Sequence, residues 1–204
     1  KNFYFDVIPK CVDEYYTFRT KISSQQESDK LENPAWHIHG RKIPNSDLPV
    51  GFNLLLNLVS ASNSHDKNVM WGFISRYKPE LNPANAPELD KMIGYAINYY
   101  DDFVKPTKKF RQPTDAEKKG LEALVAKLSA LAPDATAEII QNEVYAAGKD
   151  NGFEDLRAWF QALYEILLGQ SQGPRFGSFV ALYGLKETIT LINRALSGEN
   201  LAAA

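Results

Sequence analysis

Apolar positions recur at helical spacing along most of the chain, and no stretch alternates every second residue as a half-buried strand would. Residues 6–22 read as a helix, with Val12, Tyr15, Tyr16 and Arg19 on neighbouring turns. Residues 23–33 are polar and charged with nothing to bury, a candidate mobile loop. Residues 34–45 read as irregular and hold Trp36, His37 and His39. Ser46 or Asp47 is placed to cap a helix starting at Pro49. Its run Phe52, Leu54, Leu55, Leu56, Leu58, Val59 is apolar almost all round, the mark of a helix buried on most sides. Ser64 is the expected cap of the next helix, with Val69, Met70, Phe73, Ile74 and Tyr77 on one stripe. Asn82-Pro83 and Ala86-Pro87 end it, and Leu89, Met92, Ile93, Ala96, Ile97, Tyr100 and Val104 then keep a 3.6-residue period.

The sharpest change of composition is KPTKKFRQP, residues 105–113, where two prolines bracket Lys105, Lys108, Lys109 and Arg111. A subdomain boundary is expected there. Thr114 and Glu117 have capping-box spacing, and Leu121, Leu124, Val125, Leu128 and Leu131 form the apolar face behind them. Pro133-Asp134 stops that helix and starts another, with Ile139, Ile140, Val144 and Ala147. Asn151 to Glu154 resembles a second capping box, opening a helix with Leu156, Trp159, Phe160, Leu163 and Leu167. A short helix to Tyr183, a break at Gly184 and a last helix with Ile189, Ile192 and Leu196 complete the pattern. The expectation is an all-α chain of two packed helical subdomains, residues 1–105 and 114–200, joined by a basic linker at 106–113. Residues 201–204 read as a possible vector remnant, and the start at Lys1 without methionine suggests an excised piece.

Composition narrows the function classes. The 204 residues are 44% apolar and 24% charged, ordinary for a globular chain. Cys11 has no internal partner, and a reducing cytosol is expected. There is no signal peptide and no apolar run of membrane length. The net charge of −2 divides as +2 over residues 1–113 and −4 over residues 114–204. No global basic field advertises nucleic acid, so any RNA contact must be local.

Local chemistry concentrates in two places. The loop Gly169-Gln170-Ser171-Gln172-Gly173 leads to Pro174 at an expected first helical position, with Arg175 and Phe176 in the first turn. A guanidinium and an aromatic ring beside free backbone N–H groups can seat a phosphate or an unstacked base; the plain alternative is a helix–loop–helix joint with Phe176 in the core. The second place is the linker, where Lys105, Lys108, Lys109 and Arg111 either contact phosphate or simply keep a connection solvated. His37 and His39 could face one side of an extended backbone, but no third ligand stands near, and no metal site is expected. The order of His37-Ile38-His39-Gly40 differs from a nucleotide-site HIGH signature, Lys91-Met92 begins no KMSKS, and Asp101-Asp102 read as solvated. No catalytic residue is assigned.

Three stretches carry a family resemblance. They are GPRFGSFVALYG followed by LKETITLINRAL, then PAWHIHGRKIPNSDLPVGFNLLLNLVSASN, and the opening FYFDVIPKCVDEYYTF. They resemble class I lysyl-tRNA synthetases and, more distantly, the helical anticodon cage of glutamyl-tRNA synthetases. The resemblance implies the C-terminal, tRNA-binding part of a cytoplasmic enzyme that attaches lysine to tRNA(Lys) with ATP and Mg. The N-terminal catalytic domain would lie elsewhere in the same polypeptide, and this part alone would hold no cofactor and no activity. Residues 1–105 would connect on the stem side, and residues 114–200 would form the cage. Carried over position by position, Gln161, Tyr164, Gly173, Pro174 and Phe176 would touch anticodon bases, with Arg175 in the same loop. Relatives carry an arginine where this chain has Tyr164. Lys105, Lys108, Lys109 and Arg111 would hold phosphates near the anticodon stem. Three rival readings remain open: a helical protein-interaction module without an RNA role, a glutamate-type cage, and a free-standing enzyme using His37, His39 and Asp47.

Overall fold

The computed structural model describes residues 4–44 and 48–201. Among the described residues eleven α-helices follow in order: α1 Ile8–Lys21, α2 Glu27–Lys30, α3 Pro34–Ile38, α4 Phe52–Ser62, α5 Lys67–Tyr77, α6 Pro87–Tyr99, α7 Asp115–Ser129, α8 Ala137–Asp150, α9 Leu156–Leu167, α10 Phe176–Tyr183 and α11 Leu185–Leu196. A π-helical turn, Tyr100–Val104, and a 3-10 turn, Lys105–Thr107, lead from α6 into the linker. Among the described residues there is no strand, and no helix is long and apolar enough to cross a membrane.

Helix starts follow capping chemistry, though several differ from the sequence expectation. Thr114 and Glu117 form the expected box: the Glu117 amide donates to Thr114 Oγ1 at 3.3 Å, and the Thr114 amide donates to Glu117 Oε2 at 2.7 Å. Asp66, not Ser64, caps α5; Thr136, not Asp134, caps α8; Asp155, not Asn151, caps α9. In each case an oxygen-bearing side chain nearer the first turn wins the orphan N–H. Helix α4 begins at Phe52, and the proposed caps Ser46 and Asp47 lie outside the described residues. Its cap comes from another helix: both oxygens of Asp13 on α1 accept from the amides of Phe52 and Asn53, at 2.5 and 3.1 Å. A carboxylate at a helix N-terminus also opposes the macrodipole.

The polar stretch 23–33 is not an empty linker. It forms α2, and Asn33 at its end is buried. The Asn33 amide donates to the Phe18 carbonyl and to Gln25 Oε1, both at 2.8 Å, while its oxygen caps α3. The segment expected to be irregular thus opens as a helix, with Pro34 at a first-turn position where its missing N–H costs nothing.

Helix α10 is the hub. It packs against α8 and α11 of the second half and against α4 and α5 of the first. Its sequence FGSFVALY is nearly all apolar, and Phe176, Phe179, Val180 and Leu182 are wholly buried. Each such side chain contributes about 1.5–3 kcal/mol of burial free energy. The approach to α8 needs Gly177, because a Cβ there would stand 2.3 Å from the Ala137 carbonyl oxygen. The Gly177 amide is satisfied by Gln141 Oε1 at 2.8 Å. One set of mutually packed buried residues runs from Val50 to Ala195, across both halves. At its edge Arg76 of α5 donates to the Tyr183 carbonyl at 2.6 Å and to Glu187 at 2.7 Å.

Candidate nucleic-acid interface

The two segments singled out in the sequence meet in space. The Lys109 amide donates to the Gly169 carbonyl at 2.8 Å, so the basic linker runs beside the loop before α10. Phe110 seals the junction: its ring lies against Gly169, which has φ of +68° and where a Cβ would stand 2.9 Å from the ring. That backbone conformation and that contact both call for glycine. Between linker and loop is a cleft of about 700 Å³, with Lys109, Arg111 and Glu165 on one side and Gly169 to Gln172 on the other. Its size is that of a small-ligand or single-nucleotide site.

The loop residues divide into presenters and supports. Gln161 is exposed on α9, and its amide donates to Glu165 Oε1 at 2.6 Å. Gly173 and Arg175 are exposed and Pro174 is half-buried. Helix α10 opens at Phe176, so Arg175 is its N-cap and Pro174 lies just before that cap, two residues off the expected register. The Arg175 carbonyl accepts from the amides of Ser178 and Phe179, while its guanidinium makes no ion pair among the described residues. Tyr164 is 8% exposed, and its hydroxyl donates to the Pro174 carbonyl. Burial, with the neighbouring Tyr145 second, pushes the Tyr164 phenol up to about 12. Phe176, expected as a stacking ring, has no exposed surface. It sits 6.0 Å edge-on from Tyr164 and 5.7 Å from Phe179, which leaves no face for a base.

The linker cations divide in the same way. Lys105 and Lys109 are exposed. Lys108 turns inward: its ammonium lies 4.7 Å from the Phe110 ring centre and 5.4 Å from that of Tyr100. It donates to the Ser60 carbonyl and the Tyr100 hydroxyl at 3.3 and 3.4 Å. Burial, with Lys105 nearby second, brings its pKa down to about 8. Arg111 is also occupied. Its guanidinium donates to both Glu117 oxygens at 2.7 and 2.8 Å, and to Glu165 at 2.6 Å. Hydrogen bonding from Arg111, reinforced by Thr114 and opposed by burial, holds Glu117 down to about 2. The same guanidinium lowers Glu165, with Gln161 assisting. Arg111 and Lys108 therefore anchor the linker, where the sequence suggested phosphate contacts.

Sequence reasoning missed Phe110, Gln170 and Gln172. The signal for Phe110 was available: a lone aromatic inside a basic run has apolar surface to hide. His37 and His39 do not converge. His37 Nε2 bonds the Leu31 carbonyl at 2.7 Å, and His39 Nε2 bonds the Tyr15 hydroxyl at 2.6 Å. Among the described residues no three His, Cys, Asp or Glu side chains are grouped to hold a metal ion.

No protein-family model matches the chain. It is 50% identical over 202 residues to a lysine–tRNA ligase of Roseobacter denitrificans, covering 99% of this chain and 38% of that protein. The lysine–tRNA ligases of Rickettsia bellii and Rickettsia felis are 46% and 44% identical over 198 residues, covering 96% of this chain and 38% of theirs. Identity at this level over nearly the whole chain establishes homology to lysine–tRNA ligases. The chain spans about 38% of the length of the relatives it matches.

Proposed function

We propose that this chain is the helical, tRNA-binding part of a class I lysine–tRNA ligase, in which residues 1–105 bridge to a catalytic half and residues 114–200 form the anticodon-reading cage. The observation that carries the reading is the 50% identity to a lysine–tRNA ligase over 202 residues. In the parent enzyme lysine is activated with ATP and Mg and then esterified to tRNA(Lys) in the cytoplasm. The described residues contain no strand, hence no βαβ nucleotide site, and ATP and Mg belong to the catalytic half on this reading.

The chemistry of the loop suits single-stranded RNA, which is read by splaying bases onto planar side chains and bonding their edges. Arg175 supplies a solvent-facing planar cation, and Gln161 an exposed amide. Tyr164, Phe176 and Gly173 shape the loop from beneath, and Lys105 and Lys109 supply charge for the backbone. The test is Arg175→Ala against a stem-loop with anticodon UUU and one with altered loop bases. Loss of roughly 1–3 kcal/mol of discrimination supports base reading by Arg175. Equal loss for both would make Arg175 a phosphate contact.

A further inference from the structure

A second cavity, of about 640 Å³, shares Phe110 with the cleft and opens between the end of α4, the linker and α11. Three cations line it, Lys105, Lys108 and Arg194, and no aspartate or glutamate does. The acidic side chains around it are engaged: Asp101 pairs with His65 at 3.2 Å, Glu187 with Arg76 at 2.7 Å and Glu199 with Arg194 at 2.6 Å. The half-buried Lys108 ammonium has no carboxylate partner among the described residues; its bonds go to the Ser60 carbonyl and the Tyr100 hydroxyl. Charges withdrawn from water are normally paired, and one left without a counter-charge costs stability. The end of α4 supplies part of the balance, its Ser60 carbonyl accepting from Lys108 and its Ala61 carbonyl from the Tyr183 hydroxyl at 3.3 Å. A helix C-terminus carries only about half an elementary negative charge, so with Arg194 neutralised by Glu199 the two lysines leave an excess of about 1.5 positive charges.

The missing partner is an anion. Burial, with Lys105 second, lowers the Lys108 pKa only to about 8, so the ammonium keeps its charge at neutral pH. The Arg194 side chain is 35% exposed and spends Nε and Nη2 on Glu199, which leaves Nη1 to donate. Ammonium and guanidinium donors from the linker and from α11 suit the several charged oxygens of a phosphate group. The volume has room for that group and a small organic remainder. Tyr100, which meets Lys108, opens the π-helical turn, and such turns recur at functional sites. We propose that the cavity between the end of α4, the linker and α11 binds the phosphate group of a small free molecule, held by Lys105, Lys108 and Arg194. The position of Lys108, half-buried against the Phe110 and Tyr100 rings, suits a small anion better than a polymer backbone. A phosphate bound there ties the linker to α11, and the inference stands whether or not the loop before α10 faces RNA.

The probe is inorganic phosphate, titrated into the chain against sodium chloride at matched ionic strength and followed by calorimetry and melting temperature. We expect saturable binding and a rise in melting temperature that chloride does not give. Lys108→Met and Arg194→Gln should each weaken phosphate binding roughly tenfold or more. Lys109→Gln, outside this lining, should leave it unchanged. A saturating UUU stem-loop should also leave phosphate affinity where it was. Chloride matching phosphate in effect, or equal phosphate affinity in Lys108→Met, overturns the inference and leaves the RNA reading standing. Displacement of phosphate by the stem-loop assigns the position to an RNA phosphate and overturns the assignment to a free molecule. Should Lys108→Met fail to fold, Lys105→Gln at an exposed position decides: phosphate affinity no lower than in Lys109→Gln contradicts the proposal.

Discussion

Gly173 lies flat against the ring of Tyr164, so closely that a Cβ would stand 2.4 Å from Cε1 and 2.6 Å from Cδ1. The ring cannot yield, because its hydroxyl is bonded to the Pro174 carbonyl and its edge meets Phe176. Gly173→Ala is therefore expected to displace the loop, not the ring. Overpacking of this kind costs about 1–3 kcal/mol, readable by denaturant titration. On the proposed function it also weakens stem-loop binding, with the far-ultraviolet helix signal unchanged.

Acid should loosen the linker before the core. Glu117 is held down to about 2 by Arg111, so its contribution to stability is complete above its ordinary value of 4.5 and is lost as the pH falls toward 2. Glu165 is depressed by the same guanidinium and adds in the same direction. Glu117→Gln keeps the capping geometry but gives up the charge, and should cost about 1–3 kcal/mol at neutral pH while flattening the acid limb. Denaturation curves between pH 2 and pH 7 measure both effects.

Lys108 should behave in the opposite sense to an exposed lysine. Burial lowers its pKa to about 8 from 10.5, so folding disfavours its charged form and stability rises as pH climbs from about 8 to 10.5. Lys108→Met is expected to abolish that alkaline gain and to be neutral or stabilising at pH 7. A stability curve that still rises over this window in Lys108→Met would contradict the placement.

The linker cations should separate in their salt dependence. Lys105 and Lys109 are the exposed pair, and removing both should lower the slope of log K against log salt by roughly 1–1.5 for single-stranded RNA. Anticodon preference should survive, because phosphate contacts position and base contacts specify. Lys108→Met should leave the slope where it was.

The helices were legible because their apolar faces repeat at a single period, and Thr114 and Glu117 announce α7 without help from the rest of the fold. What the sequence concealed came from tertiary partners. Asp13 caps α4 from 39 residues away, a bond that no local pattern encodes. Asn33 looks like any polar linker residue until Phe18 and Gln25 surround it. The candidate site was legible as two segments but not as one surface, since the Lys109–Gly169 bond joins positions far apart in the chain. Residue type alone also could not sort presenters from supports. Arg175 and Arg111 are chemically alike, and only Glu117 and Glu165 make the second an anchor.

The most direct measurement is binding of this chain to a UUU anticodon stem-loop at two salt concentrations, with the same stem carrying altered loop bases as control. The account predicts tighter binding to UUU at both salts, with the preference nearly independent of salt while overall affinity falls. Equal affinity for the two loops, or no binding to either, would contradict the assignment of this chain as the anticodon-reading part of a lysine–tRNA ligase.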